Sequence, residues 1–163
     1  MIAVIAARSG NNVIGKDGKI PWDIPGEKKQ FRELTMGNIV IMGRKTFEEC
    51  GILPGRDMII VSKTKTFEGE HIRTVHSFQE ALDAAGDGDV YVCGGYQLYL
   101  EALEIADCIY LTEMDLTVEN GDVFFPEFDE SSFDMEVLEE MKTPVKCIRK
   151  LYKRSVHTAS EKR

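Results

Sequence analysis

Cysteine is sparse here: four residues in 163, Cys50, Cys93, Cys108 and Cys147, sit in apolar stretches with no C-x-x-C spacing. That pattern argues against a zinc knuckle or a disulfide framework and fits reduced thiols in a cytosol. The three histidines, His71, His76 and His157, show no metal-ligand spacing. No metal site is expected, and His76 is at most a peripheral ligand contact. Long apolar runs are missing too, since M-I-A-V-I-A-A turns polar at Arg8, too soon for a signal peptide or a membrane span. Basic residues are outnumbered 20 to 28, and the net charge of −8 argues against nucleic acid or an anionic membrane as the main partner. Any anionic ligand must find a local basic cluster. There is no G-x-G-x-x-G, no P-loop, no internal repeat and no low-complexity tract.

What is present fits one domain with a substantial core, at 43% hydrophobic residues. Ile2 to Ala7, Asn38 to Met42, Arg56 to Ser62, His71 to Val75 and Asp89 to Cys93 read as strands. Several are apolar without alternation, as in parallel sheets buried on both faces. Helices are expected at Pro25 to Thr35, from Arg44 to about Cys50, from Ser77 to Ala85 and from Tyr96 to Ile105. Ser77 is the expected N-cap of the third, with Glu80 in the capping-box position. In the last third, Cys108 to Met114, Phe133 to Met141 and Val145 to Tyr152 read as strands joined by loops, so antiparallel pairing at one edge is expected. Residues 1–154 form the expected domain and 155–163 an aperiodic tail, expected to be disordered.

The chain is organised around Ile20 to Thr35, where Glu27, Phe31, Leu34 and Thr35 fall on one helix face and Lys28, Lys29, Arg32 and Glu33 on the other. A carboxylate sharing the apolar face loses hydration, needs a hydrogen-bond partner and tends toward a raised pKa. The plainer reading is a helix-start carboxylate near the positive end of the helix dipole. Before it, S-G-N-N-V-I-G-K-D-G-K is longer than most connections and suggests a lid.

Gly43 and the pair Gly94 and Gly95 each follow a strand and open a helix. Such turns can be simple loop geometry, but two on one sheet edge offer free N–H groups for the phosphates of a dinucleotide. Arg44, Lys45 and Lys63 gather cations at those strand ends, as an additional phosphate requires. That favours NADPH over NADH.

Seven motifs occur in register with one family: A-x-x-x-x-N-x-V-I-G (Ala6 to Gly15), I-P-W-D-I-P-G-E (Ile20 to Glu27), V-I-M-G-R-K-T-F (Val40 to Phe47), L-P-G-R (Leu53 to Arg56), Gly94-Gly95, Tyr110-Leu111-Thr112 and G-D-V-F-F-P (Gly121 to Pro126). The chain resembles dihydrofolate reductase over about residues 1 to 152. The resemblance implies a single-domain, three-layer α/β fold with a mostly parallel sheet of about eight strands, an antiparallel C-terminal edge and about four helices. It implies NADPH-dependent reduction of 7,8-dihydrofolate in the cytoplasm by a monomer that binds small molecules, neither nucleic acid nor membrane.

By the same resemblance Glu27 is the catalytic acid, the Thr112 hydroxyl hydrogen-bonds it and Trp22 shapes a water site beside it. Ile5, Phe31, Cys50 and Leu53 wall the substrate pocket, and Arg56 holds the glutamyl α-carboxylate. Ala7, Ile14, Gly15, Gly43, Thr46, Ser62, Lys63, Cys93, Gly94, Gly95 and Tyr99 align with cofactor contacts, with Arg44 and Lys45 as the phosphate pair. The segment from Ser9 to Ile20 resembles the lid, and Asp122 the acid that braces it.

Departures from the family pattern are Ile20 where methionine or leucine is common, Cys93 where isoleucine or valine is usual, and, after Cys50, G-I-L-P-G-R, one residue shorter than the common G-R-P-L-P-G-R. With Glu27 in place of the usual bacterial Asp, the short turn resembles the trimethoprim-insensitive branch. A reductase of riboflavin synthesis shares the fold group, but the I-P-W segment and its acid disfavour it. A non-catalytic nucleotide-binding module would need the sheet and turns, and nothing in it needs Glu27.

Overall fold

The structure is a computed structural model that describes residues 1–17, 20–22, 25–142 and 145–155, and of residues 25–27 the backbone alone. In chain order the elements are β1 (Ile2–Ser9), β2 (Val13–Gly15), α1 (Pro25–Thr35), β3 (Ile39–Gly43), α2 (Arg44–Cys50), β4 (Asp57–Val61), β5 (Ile72–Val75), α3 (Phe78–Ala85), β6 (Val90–Val92), α4 (Tyr96–Leu103), β7 (Cys108–Met114), β8 (Val123–Phe124), β9 (Phe133–Met141) and β10 (Cys147–Arg154), with a 3₁₀ turn at Glu130–Ser132. Eight strands form one sheet in the order β5-β4-β3-β6-β1-β7-β10-β9, parallel from β5 to β7. The last two, β10 and β9, run antiparallel, as their loop connections imply.

Alternation along the central strands sends side chains into two layers. Val4, Ile41, Ile59 and Val92 pack with Phe78, Ala81, Leu98 and Ala102 of α3 and α4. Ile5, Val40, Met42 and Ile60 pack on the other face with Phe31 and Leu34 of α1 and Phe47 of α2. Each fully buried side chain of this size contributes about 1.5–3 kcal/mol, so both faces must be covered and the three-layer arrangement follows. Ser77 caps α3 by accepting from Glu80 N–H at 3.1 Å. The Glu80 carboxylate reaches one residue past the cap, accepting from His76 N–H at 2.7 Å.

Two short strands escape sequence reading. β2, inside the expected lid, pairs antiparallel with β8 from G-D-V-F-F-P. Gly121 is needed at that junction, because a Cβ there would stand 2.5 Å from both Val13 γ-carbons. Asp122 Oδ2 accepts from Asp17 N–H at 3.0 Å, the bracing contact expected of it. At the other end one boundary moves: Ser155, assigned from sequence to the tail, is buried and donates its N–H to Ser132 O at 2.9 Å. The rest of the expected tail, 156–163, lies outside the described residues.

Under the lid base, Glu113 of β7 accepts from Arg8 of β1 at 2.7 Å and from Lys150 of β10 at 2.7 Å, tying three strands together. Burial raises its carboxyl, but those two cations outweigh it and hold the pKa below the ordinary value. A carboxylate depressed in the folded state stabilises fully above its unfolded pKa, about 4.3, and the contribution fades as pH falls through the lower folded value. Glu113→Gln is therefore expected to lose about 1 kcal/mol at pH 7, after discounting for solvent screening, and to flatten the acid limb of the stability curve. Denaturant titrations at pH 7 and pH 3 check it; an equal loss at both would contradict the assignment.

Candidate active site

The carboxyl ends of β1, β3, β4 and β6 open onto one cleft of about 1440 Å³. This is where open α/β sheets hold ligands, because strand-end glycines and helix N-termini converge there. Gly43 and Gly95 are the N-caps of α2 and α4, and neither helix start receives a side-chain cap, so its N–H groups face the cleft edge without one. The two turns touch: Gly43 N–H donates to Gly94 O at 2.9 Å, and the Gly94–Gly95 peptide is cis. Gly94 has φ +114° and a Cβ there would meet the Tyr99 hydroxyl at 3.3 Å, which accounts for glycine at this position.

Cations surround this edge. Arg44 is engaged by Glu48 at 2.6 Å, and Lys65 reaches the other Glu48 oxygen at 3.1 Å. The Lys65 hydrogen bond, with Arg44 beside it, holds the Glu48 carboxyl below its ordinary value. Lys45 and Lys63 are exposed and have no carboxylate partner among the described residues. Of the expected phosphate pair, then, Arg44 is partly neutralised within its own helix and Lys45 is not. The contact follows from i, i+4 spacing on α2 and could have been read from sequence.

A second compartment lies between α1 and the wall leading to β4. Ile5, Phe31, Cys50 and Leu53 line it with Trp22 and Thr112. Ala7, Ile14, Gly15, Thr46, Ser62, Lys63 and Cys93 line the cleft with the glycines, so every expected site residue whose side chain is described borders it. Tyr99 is buried, and its hydroxyl donates to Ile5 O at 2.9 Å, joining the two compartments. Trp22 Nε1 is buried with no hydrogen-bond partner among the described residues. The Glu27 side chain lies outside the described residues; its backbone belongs to α1, one turn before Phe31.

Two features differ from the sequence expectation. The Thr112 hydroxyl donates to Gln30 Oε1 at 3.2 Å, while its expected hydrogen bond with Glu27 lies outside the described residues. Gln30 is a cleft residue that the sequence reading missed, although its place three residues after Glu27 on the same helix is a usable signal. Lys28 and Arg32, assigned to the far face of α1, also line the cleft, because α1 rims the opening and long side chains reach back over it.

Arg56 is 8% exposed, yet no carboxylate meets it among the described residues. Its Nε and Nη2 donate to Pro54 O at 3.1 and 2.9 Å, and Nη1 donates to Thr35 Oγ1 at 3.3 Å. Burial, and then the like charge of Arg32, lower its pKa, so the held guanidinium suits an incoming anion. The turn before it is tight. Gly55 has φ +81°, and a Cβ there would run into Met36 Sδ. Thiol chemistry is disfavoured, because desolvation pushes Cys50 up to about 11 and Cys93 higher still, leaving both protonated near neutrality.

Fold and cleft together define an α/β protein with a cation-lined cleft at the carboxyl ends of parallel strands, where such sheets hold phosphate-bearing ligands. The dihydrofolate reductase family model matches residues 1–154, and the chain belongs to that family. It is 42% identical over 130 residues to dihydrofolate reductase type 3 of Salmonella typhimurium, covering 78% of this chain and 80% of that one. To the dihydrofolate reductase of Bacillus subtilis (strain 168) it is 40% identical over 137 residues, 83% of this chain and 81% of the other. Among solved structures, dihydrofolate reductase from Enterococcus faecalis complexed with NADP(H) and RAB-propyl superposes with a TM-score of 0.87 at 33% identity, covering 95% and 96% of the two chains. The protein is thus an NADPH-dependent oxidoreductase that reduces 7,8-dihydrofolate to 5,6,7,8-tetrahydrofolate. No helix among the described residues is long and apolar enough to cross a membrane.

Proposed function

We propose that the cleft divides its work between a glycine-and-cation edge that holds NADPH and the compartment under α1 that holds dihydrofolate. The observation that carries this is the meeting of uncapped helix starts, free cations and a counter-ion-poor arginine around a single cavity. The residues present fit the cofactor. The starts of α2 and α4, which no side chain caps, offer backbone N–H groups for the diphosphate, and Lys45 with Lys63 offers charge for the 2′-phosphate. When bound, NADPH supplies the hydride.

The chain's own groups do the rest. Glu27 grips the pterin by its exocyclic amine and ring N–H and promotes protonation of N5 through a water. The Trp22 indole N–H, which has no partner among the described residues, suits such a water. Arg56, already aimed by Pro54 O and Thr35 Oγ1, holds the glutamyl α-carboxylate. Ile5, Phe31 and Leu53 exclude water around the ring, which strengthens these polar contacts. The enzyme works as a monomer in the cytoplasm, with residues 1–154 as the functional domain. Absorbance of NADPH with and without dihydrofolate tests the reading: loss only with dihydrofolate supports it, and loss with a ribosylaminopyrimidine instead would favour the riboflavin-type reductase.

Lys45→Glu is expected to weaken NADPH binding by roughly tenfold to a hundredfold while barely moving NADH, since one charged hydrogen bond contributes about 1.5–3 kcal/mol. Dissociation constants for the two cofactors decide it. Equal losses would mean that Lys45 meets something both share.

A further inference from the structure

We infer that Glu49 is a positioning residue that latches the end of the lid across the mouth of the cleft. The Ile20 N–H donates to Glu49 Oε1 at 2.7 Å, joining positions 29 residues apart in the chain. Both residues line the cleft, Ile20 on the lid side and Glu49 on the last turn of α2. The contact therefore spans the opening. Its neighbour Glu48 is occupied by Arg44 and Lys65, so the two adjacent acids have separate tasks, one on the phosphate side and one on the lid.

The support behind the latch is firm. Phe47 of α2 packs edge-on against Phe67 with ring centroids 4.8 Å apart, and Gly51 N–H closes the helix on Phe47 O at 2.7 Å. Ile20 itself is 53% exposed, so apolar burial does little to hold it, and among the described residues the hydrogen bond to Glu49 is its polar tether. A carboxylate accepting from a backbone N–H is the stronger kind of hydrogen bond. An occupant leaving the cleft past Ile20 must break it.

This rests on the reading of the cleft as the NADPH and dihydrofolate site, and the experiment separates the two. In E49A, without cofactor, amide exchange at Ile20 is expected to quicken by about tenfold while core amides of β1 and β3 stay protected. With cofactor, NADPH release by stopped flow is expected to quicken by a similar factor, with single-turnover hydride transfer within about twofold of wild type. E49Q retains an acceptor oxygen and restores most of the Ile20 protection. Unchanged Ile20 exchange in E49A, or E49Q as unprotected as E49A, overturns the latch. Quickened exchange with unaltered NADPH release overturns its role at the cleft mouth. Failure of the wild-type protein to bind NADPH would instead sink the reading of the cleft itself.

Discussion

Glu27→Gln is expected to fold normally and to transfer hydride roughly 10²- to 10⁴-fold more slowly at neutral pH, the usual cost of removing a general acid. Glutamine still accepts and donates hydrogen bonds, so the pterin amine keeps a partner and dihydrofolate binding changes less than turnover. What the amide cannot do is exchange a proton. Activity should therefore recover as pH falls, because substrate already protonated at N5 no longer needs the group. Of the other described acids on the cleft, Glu49 is engaged by Ile20 at the mouth and Glu101 stands on α4, and the Cys50 and Cys93 thiols stay protonated. Single-turnover rates from pH 5 to 8 measure the effect, and a mutant with wild-type rates at pH 7 would remove Glu27 from the mechanism.

Trimethoprim is expected to inhibit this enzyme about two orders of magnitude less well than it inhibits a typical bacterial reductase, from small losses on both sides of the pocket that add up. Glu is one methylene longer than Asp, so a diaminopyrimidine meeting the carboxylate must shift or tilt. Opposite, the shortened turn brings α2 directly into the wall: Gly51 carries φ +71°, Ile52 points outward at 67% exposure, and Leu53 N–H is held by Met58 Sδ at 3.2 Å. Only Cys50 and Leu53 of that turn border the cleft, leaving less apolar surface for a trimethoxyphenyl ring. Each lost methylene-scale contact costs about 0.8 kcal/mol, and a misaligned charged hydrogen bond about 1.5–3 kcal/mol. Dihydrofolate should suffer less, because in the proposed reading Arg56 anchors a tail that trimethoprim lacks. An inhibition constant in the low-nanomolar range, set beside substrate affinity, would show the proposal wrong. A weak constant restored by Glu27→Asp together with the missing turn residue would assign the cause.

Much of this molecule was legible before folding, for a physical reason. Strands buried on both faces must be apolar without alternation, so Asn38 to Met42 and Asp89 to Cys93 announce a parallel sheet, and glycine directly after such a strand marks where its carboxyl end opens. Ser77 and Glu80 predict their own cap because capping is local. The motifs carried the family, and residues of each border one cleft: those after β3 and β6 lie at the carboxyl ends of parallel strands, and Leu53 to Arg56 reach it from the turn into β4. Composition and period are silent on contacts between distant positions. The pairing of β2 with β8, the Gln30–Thr112 hydrogen bond across 82 positions and the Ile20–Glu49 tie across 29 depend on where the sheet order places each chain segment. Ser155 belongs to the same class, buried only because the 3₁₀ turn at Glu130–Ser132 lies against the end of β10. The sequence determined which chemistry the cleft contains; the tertiary structure decided which of its polar groups are already spoken for, because a hydrogen bond is settled by distance and direction in space.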